Sequence, residues 1–316
     1  MKKVIVTGGA GFIGSHCVEE LLREGYQVAI IDNFSSGHQD NIKGLPIDVY
    51  VCDVADPAVV DVIKSIAPDA IIHLAAQISV AQSVEDPLFD ERTNIQGSLN
   101  VMNGARFAAV RKLVFSSSAA VYGSPIALPI TTAHPTCPES PYGLTKRTVE
   151  HYLQLYSKFY QLPYTILRFS NVYGPRQDAA GEGGVVSIFC ERIDKNTPPM
   201  IYGDGQQTRD FIYVDDVARA LAAALKSEGN PCVNVSTGSA VTINHLFQQL
   251  KEAAHSECPV FYGPERRGDI RHSVLANDET KRLLGWKPLV SLDQGLRQTL
   301  EDTHRRLKKN TKKAVH

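Results

Sequence analysis

Tyr142 and Lys146, in the stretch SPYGLTKR, stand four residues apart just behind a proline. Pro141 suits the first turn of a helix, because its fixed φ is helical and its missing N–H would be unpaired there. From that start the phenol and the amine share one helical face. A tyrosine needs a nearby cation if it is to give up its proton near neutral pH, and a lysine one turn away supplies one. At ~6 Å and an effective dielectric constant of ~20, one positive charge is worth about 2.8 kcal/mol, roughly two units off a reference pKa of ~10. Such a pair can take a proton from a hydroxyl and return it. Taken alone, a Tyr/Lys pair at this spacing is in most cases a solvated pair on an exposed turn, so the rest of the chain has to decide.

Ser116, Ser117 and Ser118 close the apolar run KLVF, and Ser118 stands 24 positions before Tyr142. The three serines could be turn punctuation only. A hydroxyl emerging at a strand end would instead complete a Ser, Tyr and Lys set, and Tyr142 is the only tyrosine in the chain with a lysine four residues on.

The elements that must position these groups follow from the hydrophobic pattern. Short β-type runs at 3–7, 27–31, 49–53, 70–74, 112–116 and 164–168 alternate with helix-period segments, one carrying Ile13, Cys17 and Leu21 on one face, others near 58–66, 88–108 and 142–160. That alternation predicts a parallel sheet covered on both faces, in an α/β, Rossmann-type doubly wound fold. Past residue 170 glycine and proline clusters (NVYGPRQDAAGEGG, NTPPMIYGDGQ, FYGPERRGD) predict a smaller loop-rich α/β lobe. DFIYVDD and an alanine-rich helix at 216–226 return to the first domain in this reading. The expected division is 1–170 plus about 206–236, and 171–205 plus about 237–316.

TGGAGFIG joins the first strand to the first helix and sets Gly8, Gly11 and Gly14 in a GxxGxxG frame. Small residues there let backbone N–H groups and a helix N-terminus approach a pyrophosphate. Asp32 ends the second strand, where a carboxylate can take both ribose hydroxyls of an adenosine and would repel a 2′-phosphate. No Arg or Lys follows closely in NFSSGHQD, so NAD is favoured over NADP; the alternative for Asp32 is a solvated turn. Asp53 and Val54, at the end of the third strand, could address the adenine edge, or Asp53 could be a plain turn residue.

The chain has 316 residues, 43% hydrophobic and 21% charged, with 33 Lys and Arg against 34 Asp and Glu. That balance gives no electrostatic case for nucleic acid. The basic end RRLKKNTKKAVH reads as a solvated or disordered tail, the alternative being weak binding to a polyanion. No run of about 18 apolar residues could span a membrane, and the N-terminus does not read as a signal peptide. The six cysteines, Cys17, Cys52, Cys137, Cys190, Cys232 and Cys258, show no zinc-ligand spacing. A reduced, cytoplasmic, metal-free protein is expected.

With TGGAGFIG, HLAAQ at 73–77, SSSAAVYG, PYGLTK and RFSNVYGPRQ in order, the chain resembles the extended short-chain dehydrogenase/reductases, and within them the UDP-glucose (UDP-galactose) 4-epimerases. The resemblance implies NAD held by Gly8, Gly11, Phe12, Ile13, Gly14, Asp32, Asn33, Asp53, Val54, Leu74, Ala75, Ala76, Gln77, Asn94, Ser116, Tyr142 and Lys146. It implies Tyr142 as general base and acid on the sugar 4-hydroxyl, Ser118 as its hydrogen-bond partner, and Lys146 on the nicotinamide ribose. Asn171, Val185, Val186, Tyr202, Arg209, Arg266 and Asp269 would hold a UDP-sugar, with Arg267 competing for the place of Arg266. Ser273 stands where a bulky tyrosine is associated with exclusion of N-acetylated sugars, so both plain and acetylated UDP-hexoses are expected to fit. A homodimer through the helices near 88–108 and 142–160 is implied too, although their apolar residues alone could be intramolecular core. Ala119 and Ala120 stand where related dehydratases and decarboxylases carry an acidic residue, which counts against both. The motifs also leave open a UDP-glucuronate 4-epimerase and a non-catalytic NAD-binding scaffold.

Overall fold

The computed structural model describes residues 2–179, 184–265 and 270–314, with side chains to 309. In the first half each apolar run becomes a strand and each helix-period segment a crossover: β1 (Lys3–Thr7), α1 (Phe12–Arg23), β2 (Gln27–Asp32), β3 (Asp48–Val51), α2 (Val59–Ile66), β4 (Ala70–His73), α3 (Val80–Glu85), α4 (Pro87–Glu91), α5 (Gly97–Phe107), β5 (Lys112–Ser118), α6 (Pro141–Tyr160) and β6 (Tyr164–Phe169). There follow β7 (Asn171–Tyr173), α7 (Val185–Asp194), β8 (Met200–Tyr202), β9 (Thr208–Arg209), β10 (Phe211–Tyr213), α8 (Val214–Ala224), β11 (Cys232–Val235), β12 (Val241–Thr242), α9 (Ile243–Ala254), β13 (Phe261–Gly263), α10 (Asp278–Leu284) and α11 (Leu292–Ala314).

Seven parallel strands form the main sheet in the order β11-β6-β5-β4-β1-β2-β3. Alternation along each strand feeds two separate cores. Val4, Val6, Ile30, Ile72, Val114 and Leu167 pack with Cys17, Val18 and Leu21 of α1 and with Val217 and Leu221 of α8. Ile5, Ile31, Ile71, Leu113, Phe115 and Ile166 face the other way, onto Ile63, Val101, Met102, Val149 and Leu153 of α2, α5 and α6. Strands buried on both faces need continuous apolar runs, which is why these read so plainly. A third core gathers Tyr173, Phe189, Ile201, Phe211, Leu246, Phe247, Leu250 and Leu296 from the later elements.

Several expected boundaries move. The helix predicted over 88–108 is broken: Asp86 caps α4 by accepting the Phe89 N–H, Pro87 opens it, and a π-helical turn at Arg92–Gln96 precedes α5. β5 runs two residues past its expected end, because Ser117 and Ser118 stay in register with Arg168 and Phe169 of β6. The basic end is not a loose tail as far as Ala314, since α11 continues through it. Arg306 donates to the Gln177 carbonyl at 3.0 Å and Lys309 pairs with Asp40 at 2.7 Å, both off the helix, while Arg306 also pairs with Asp302 one turn back at 2.8 Å. No helix among the described residues is long and apolar enough to cross a membrane.

Candidate active site

The C-terminal ends of β1, β2, β4 and β5 open onto one cleft, as parallel strand ends do in this architecture. Its walls are the glycine loop (Gly8, Gly11, Phe12, Ile13, Gly14), Asp32 and Asn33, Asp53 and Val54, Leu74 to Ala76, and Ser116, Tyr142 and Lys146. Fifteen of the seventeen residues expected on the cofactor therefore meet there. α1 begins at Phe12 with Gly11 as its N-cap, and no side chain caps it. An uncapped helix N-terminus on a cleft wall is a fitting seat for a pyrophosphate. Asp32 is buried; its two carboxylate oxygens accept the N–H groups of Ala10 at 2.9 Å and Phe34 at 2.8 Å, which ties the glycine loop to the end of β2.

α6 carries Tyr142 and Lys146. Ser140 caps it by accepting the Gly143 N–H at 3.1 Å, with Pro141 at the first position. The helix starts hard against the turn that follows β5, since a Cβ at Gly143 would lie 2.6 Å from the Ala120 carbonyl oxygen. Ser118 opens that turn, its Oγ accepting the Ala120 N–H at 3.2 Å. The Ser118 turn and the first turn of the Tyr142 helix are thus in backbone contact.

Lys146 Nζ lies 5.8 Å from the centroid of the Tyr142 ring and 5.1 Å from that of Phe115, and donates to the Ser116 carbonyl at 3.1 Å. Its burial pushes the ammonium pKa down to about 8, against which the charge of Asp90 works. Lys146 can therefore deliver its charge to the phenol with little water between to screen it.

A buried ionic network holds this face in place. Glu150, one turn beyond Lys146, accepts two bonds from Arg168 at 2.8 and 2.6 Å, one from Arg147 at 2.8 Å and one from Ser117 at 2.6 Å. Burial opposes its charge, yet these donors keep its pKa below the usual carboxylate value. Arg168 also donates to the Tyr122 hydroxyl at 3.0 Å, which donates onward to Asn234 at 2.6 Å. α6 is in this way fastened to β5, β6 and β11 at once.

Gln77 and Asn94 do not line the cleft. Both are buried, each hydrogen-bonding the other and the Asp90 carboxylate. Of the residues expected on a UDP-sugar, Tyr142 lines the cofactor cleft, whereas Asn171, Val185, Val186, Tyr202, Arg209 and Ser273 lie outside it. Asn171 opens β7 and donates its N–H to the Asp210 carbonyl, next to Arg209 at the end of β9. Arg209 Nη1 and the Ser273 N–H both donate to the Thr208 carbonyl, at 2.9 and 3.1 Å, which sets Arg209 and Ser273 side by side. Val185 and Val186 open α7, the second with its side chain in the third core, and Tyr202 ends β8. Arg266, Arg267 and Asp269 lie outside the described residues.

Ser117, one of the strand-end serines, also lines the cleft, as do Ser35, Ser36, Gly37, Thr93 and Phe169, which were not anticipated. The SSG turn directly after Asp32 was a readable signal; Thr93, inside the π-helical turn, had none. No cluster of three or more His, Cys, Asp or Glu side chains suited to a metal occurs among the described residues.

Residues 4–236 match the model of the NAD dependent epimerase/dehydratase family. A putative UDP-glucose 4-epimerase of Methanocaldococcus jannaschii is 42% identical over 299 residues, which span 94% of this chain and 97% of that protein. The crystal structure of a Thermotoga maritima UDP-glucose 4-epimerase with UDP-glucose aligns with a TM-score of 0.93 at 42% identity, covering 96% of this chain and 99% of the other. A UDP-N-acetylglucosamine 4-epimerase from Methanobrevibacter ruminantium, in complex with UDP-N-acetylmuramic acid, aligns with a TM-score of 0.92 at 37% identity and the same coverage.

Proposed function

The chain belongs to the NAD dependent epimerase/dehydratase family and is an isomerase, a UDP-sugar 4-epimerase, and from that premise we propose that it inverts C4 of both plain and N-acetylated UDP-hexoses through a 4-keto intermediate. The observation that carries this reading is the approach of Lys146 to within 5.8 Å of the Tyr142 ring on the wall of the glycine-loop cleft. When bound, NAD supplies a reversible hydride acceptor, so that C4 is oxidised and then reduced on its other face. Gly11, Phe12 and Ile13 at the start of α1 would hold its pyrophosphate, and Asp32 the adenosine ribose.

Tyr142 takes the 4-hydroxyl proton as C4 is oxidised and returns it when C4 is reduced. Ser118 hydrogen-bonds the same oxygen and orients it. Lys146 stabilises the phenolate with its ammonium group and holds the nicotinamide ribose. Asn171, Val185, Val186, Tyr202, Arg209, Arg266, Asp269 and Ser273 hold the UDP-sugar in this reading. Arginine's fixed fork suits a diphosphate, and a flat tyrosine ring suits a base. Ala119 and Ala120 put no carboxylate beside the substrate, which favours epimerisation over dehydration or decarboxylation.

Ser273 adjoins Arg209 and its small side chain leaves room for an acetamido group. UDP-galactose and UDP-GalNAc are both expected to be turned over without added cofactor. Ser273→Tyr is expected to cost the acetylated pair about 10- to 100-fold in kcat/KM and to spare UDP-galactose, since a steric misfit of this size is worth about 1–3 kcal/mol. Product analysis on UDP-glucose, UDP-GlcNAc and UDP-glucuronate reads the outcome; a parent enzyme that converts UDP-galactose and leaves both acetylated sugars untouched would sink the broad specificity.

The same reading includes a homodimer. Phe107 on α5 and Leu144, Leu155 and Phe159 on α6 are exposed large apolar side chains, and a second copy would cover them. Light scattering is expected to give twice the 34.6 kDa mass of the chain, and a monomer at micromolar concentration would refute the pairing.

A further inference from the structure

We propose that Asp90 is a positioning residue for the Tyr142 and Lys146 pair: its carboxylate fixes Thr145 between them and supplies the buried negative charge that keeps Lys146 an ammonium ion. The inference rests on the acid-base reading of that pair given above.

Asp90 sits on the short helix α4 and is fully buried. One carboxylate oxygen accepts Gln77 Nε2 at 2.8 Å and Asn94 Nδ2 at 2.9 Å; the other lies 2.9 Å from the Thr145 hydroxyl. Three donors converging on one carboxyl group favour its ionised form, which only accepts. Burial raises the Asp90 pKa above the usual carboxylate value, and the bonds from Thr145 and Gln77 and the charge of Lys146 hold back part of that rise. Thr145 Oγ1 is also 2.9 Å from the Tyr142 carbonyl, and its backbone leads directly into Lys146. The carboxylate therefore grips the single helical turn that separates the phenol from the amine.

An ammonium ion as buried as Lys146, whose hydrogen bond runs to a neutral carbonyl, needs a countercharge. The groups around it narrow the choice. From β4 comes His73, held neutral because burial drives its pKa down to about 3. From β6 comes Arg168, and from α6 itself Arg147 and Glu150; the two guanidinium groups share the one Glu150 carboxylate, which leaves no negative charge over for Lys146. Tyr142 is the group being served. Among the described residues, Asp90 is the carboxylate left to act on Lys146.

Asp90→Asn keeps the shape and removes the charge. Its carbonyl can take Gln77 and Asn94, and its amide can face Thr145 while that hydroxyl turns to the Tyr142 carbonyl. Protein labelled with 13C at lysine Cε reports the Lys146 titration directly, its signal being the one absent from Lys146→Met. The midpoint is expected to fall by about one pH unit in Asp90→Asn and to recover in Asp90→Glu. The alkaline limb of kcat should move with it, with KM little changed. An unmoved midpoint in folded Asp90→Asn overturns the proposal. Asp90→Ser serves as a second neutral variant; should neither neutral variant fold, Asp90 is a structural group and the proposal fails as well. The midpoint is read without substrate, so a parent protein inert toward UDP-sugars would count against the proposed function and leave this inference to be decided by the titration.

Discussion

Tyr142→Phe is expected to lower kcat on UDP-galactose by about 10²–10⁴-fold while NAD remains bound. That range is what a positioned acid-base group contributes to a proton transfer. The substitution removes one hydroxyl and leaves its surroundings standing. The Ser140 cap on Gly143, the Lys146 bond to Ser116 and the ionic cluster around Glu150 do not involve the phenol oxygen. Tyr142 is only part-buried, so the fold should lose little, about 0.5 kcal/mol or less. The decisive comparison is therefore between cofactor content and rate. Absorbance of NAD released on denaturation should match the parent, substrate KM should change little, and only the chemical step should fail. Retained turnover would remove Tyr142 from the mechanism and with it the role given to Lys146.

What the sequence disclosed and what it hid divide along a physical line. Features that depend on local backbone were legible: a strand, a glycine loop and a helix between residues 3 and 23, a proline at the start of α6, a carboxylate at the end of β2. Each is a short-range requirement, met by residues within a few positions of one another. The unbroken apolar run of Val4, Ile5 and Val6 announces a strand buried on both faces before any partner is known.

Features that depend on tertiary pairing were not legible. Asp90 is separated from Thr145 and Lys146 by more than fifty residues along the chain, and nothing near Asp90 marks it as the countercharge of a lysine on another helix. Gln77 and Asn94 sit in the right region for a cofactor, but their side chains hydrogen-bond the Asp90 carboxylate. The Glu150, Arg168, Tyr122 and Asn234 network draws on α6, β6, the segment after β5, and β11. Its members read in sequence as ordinary polar residues, because only the assembled sheet brings their donors and acceptors into register.

Gly14→Ala is expected to yield protein that loses NAD on purification, with an affinity about 100-fold weaker than the parent. Propensity argues the other way, since alanine in a helix is favoured over glycine by about 1 kcal/mol. The site forbids it on steric grounds. A Cβ at Gly14 would stand 2.8 Å from the Gly8 carbonyl carbon and 2.9 Å from the Gly9 Cα, with the Gly8 carbonyl oxygen closer still. Those atoms are backbone, so no side chain can swing aside to make room. Either α1 or the glycine loop must shift, and overpacking of this kind costs about 1–3 kcal/mol of stability. The loop is the freer of the two, because its Gly8 and Gly11 join by a turn whereas α1 is packed onto α8 through Cys17, Val18 and Leu21. A shifted loop pulls the Ala10 N–H from Asp32 and tilts the uncapped start of α1 away from the pyrophosphate. Affinity should accordingly fall further than stability does. Calorimetric titration with NAD, beside a urea melt of the same protein, separates the two; a variant that binds NAD like the parent would show that the close approach of α1 to the loop is not what forms the cofactor seat.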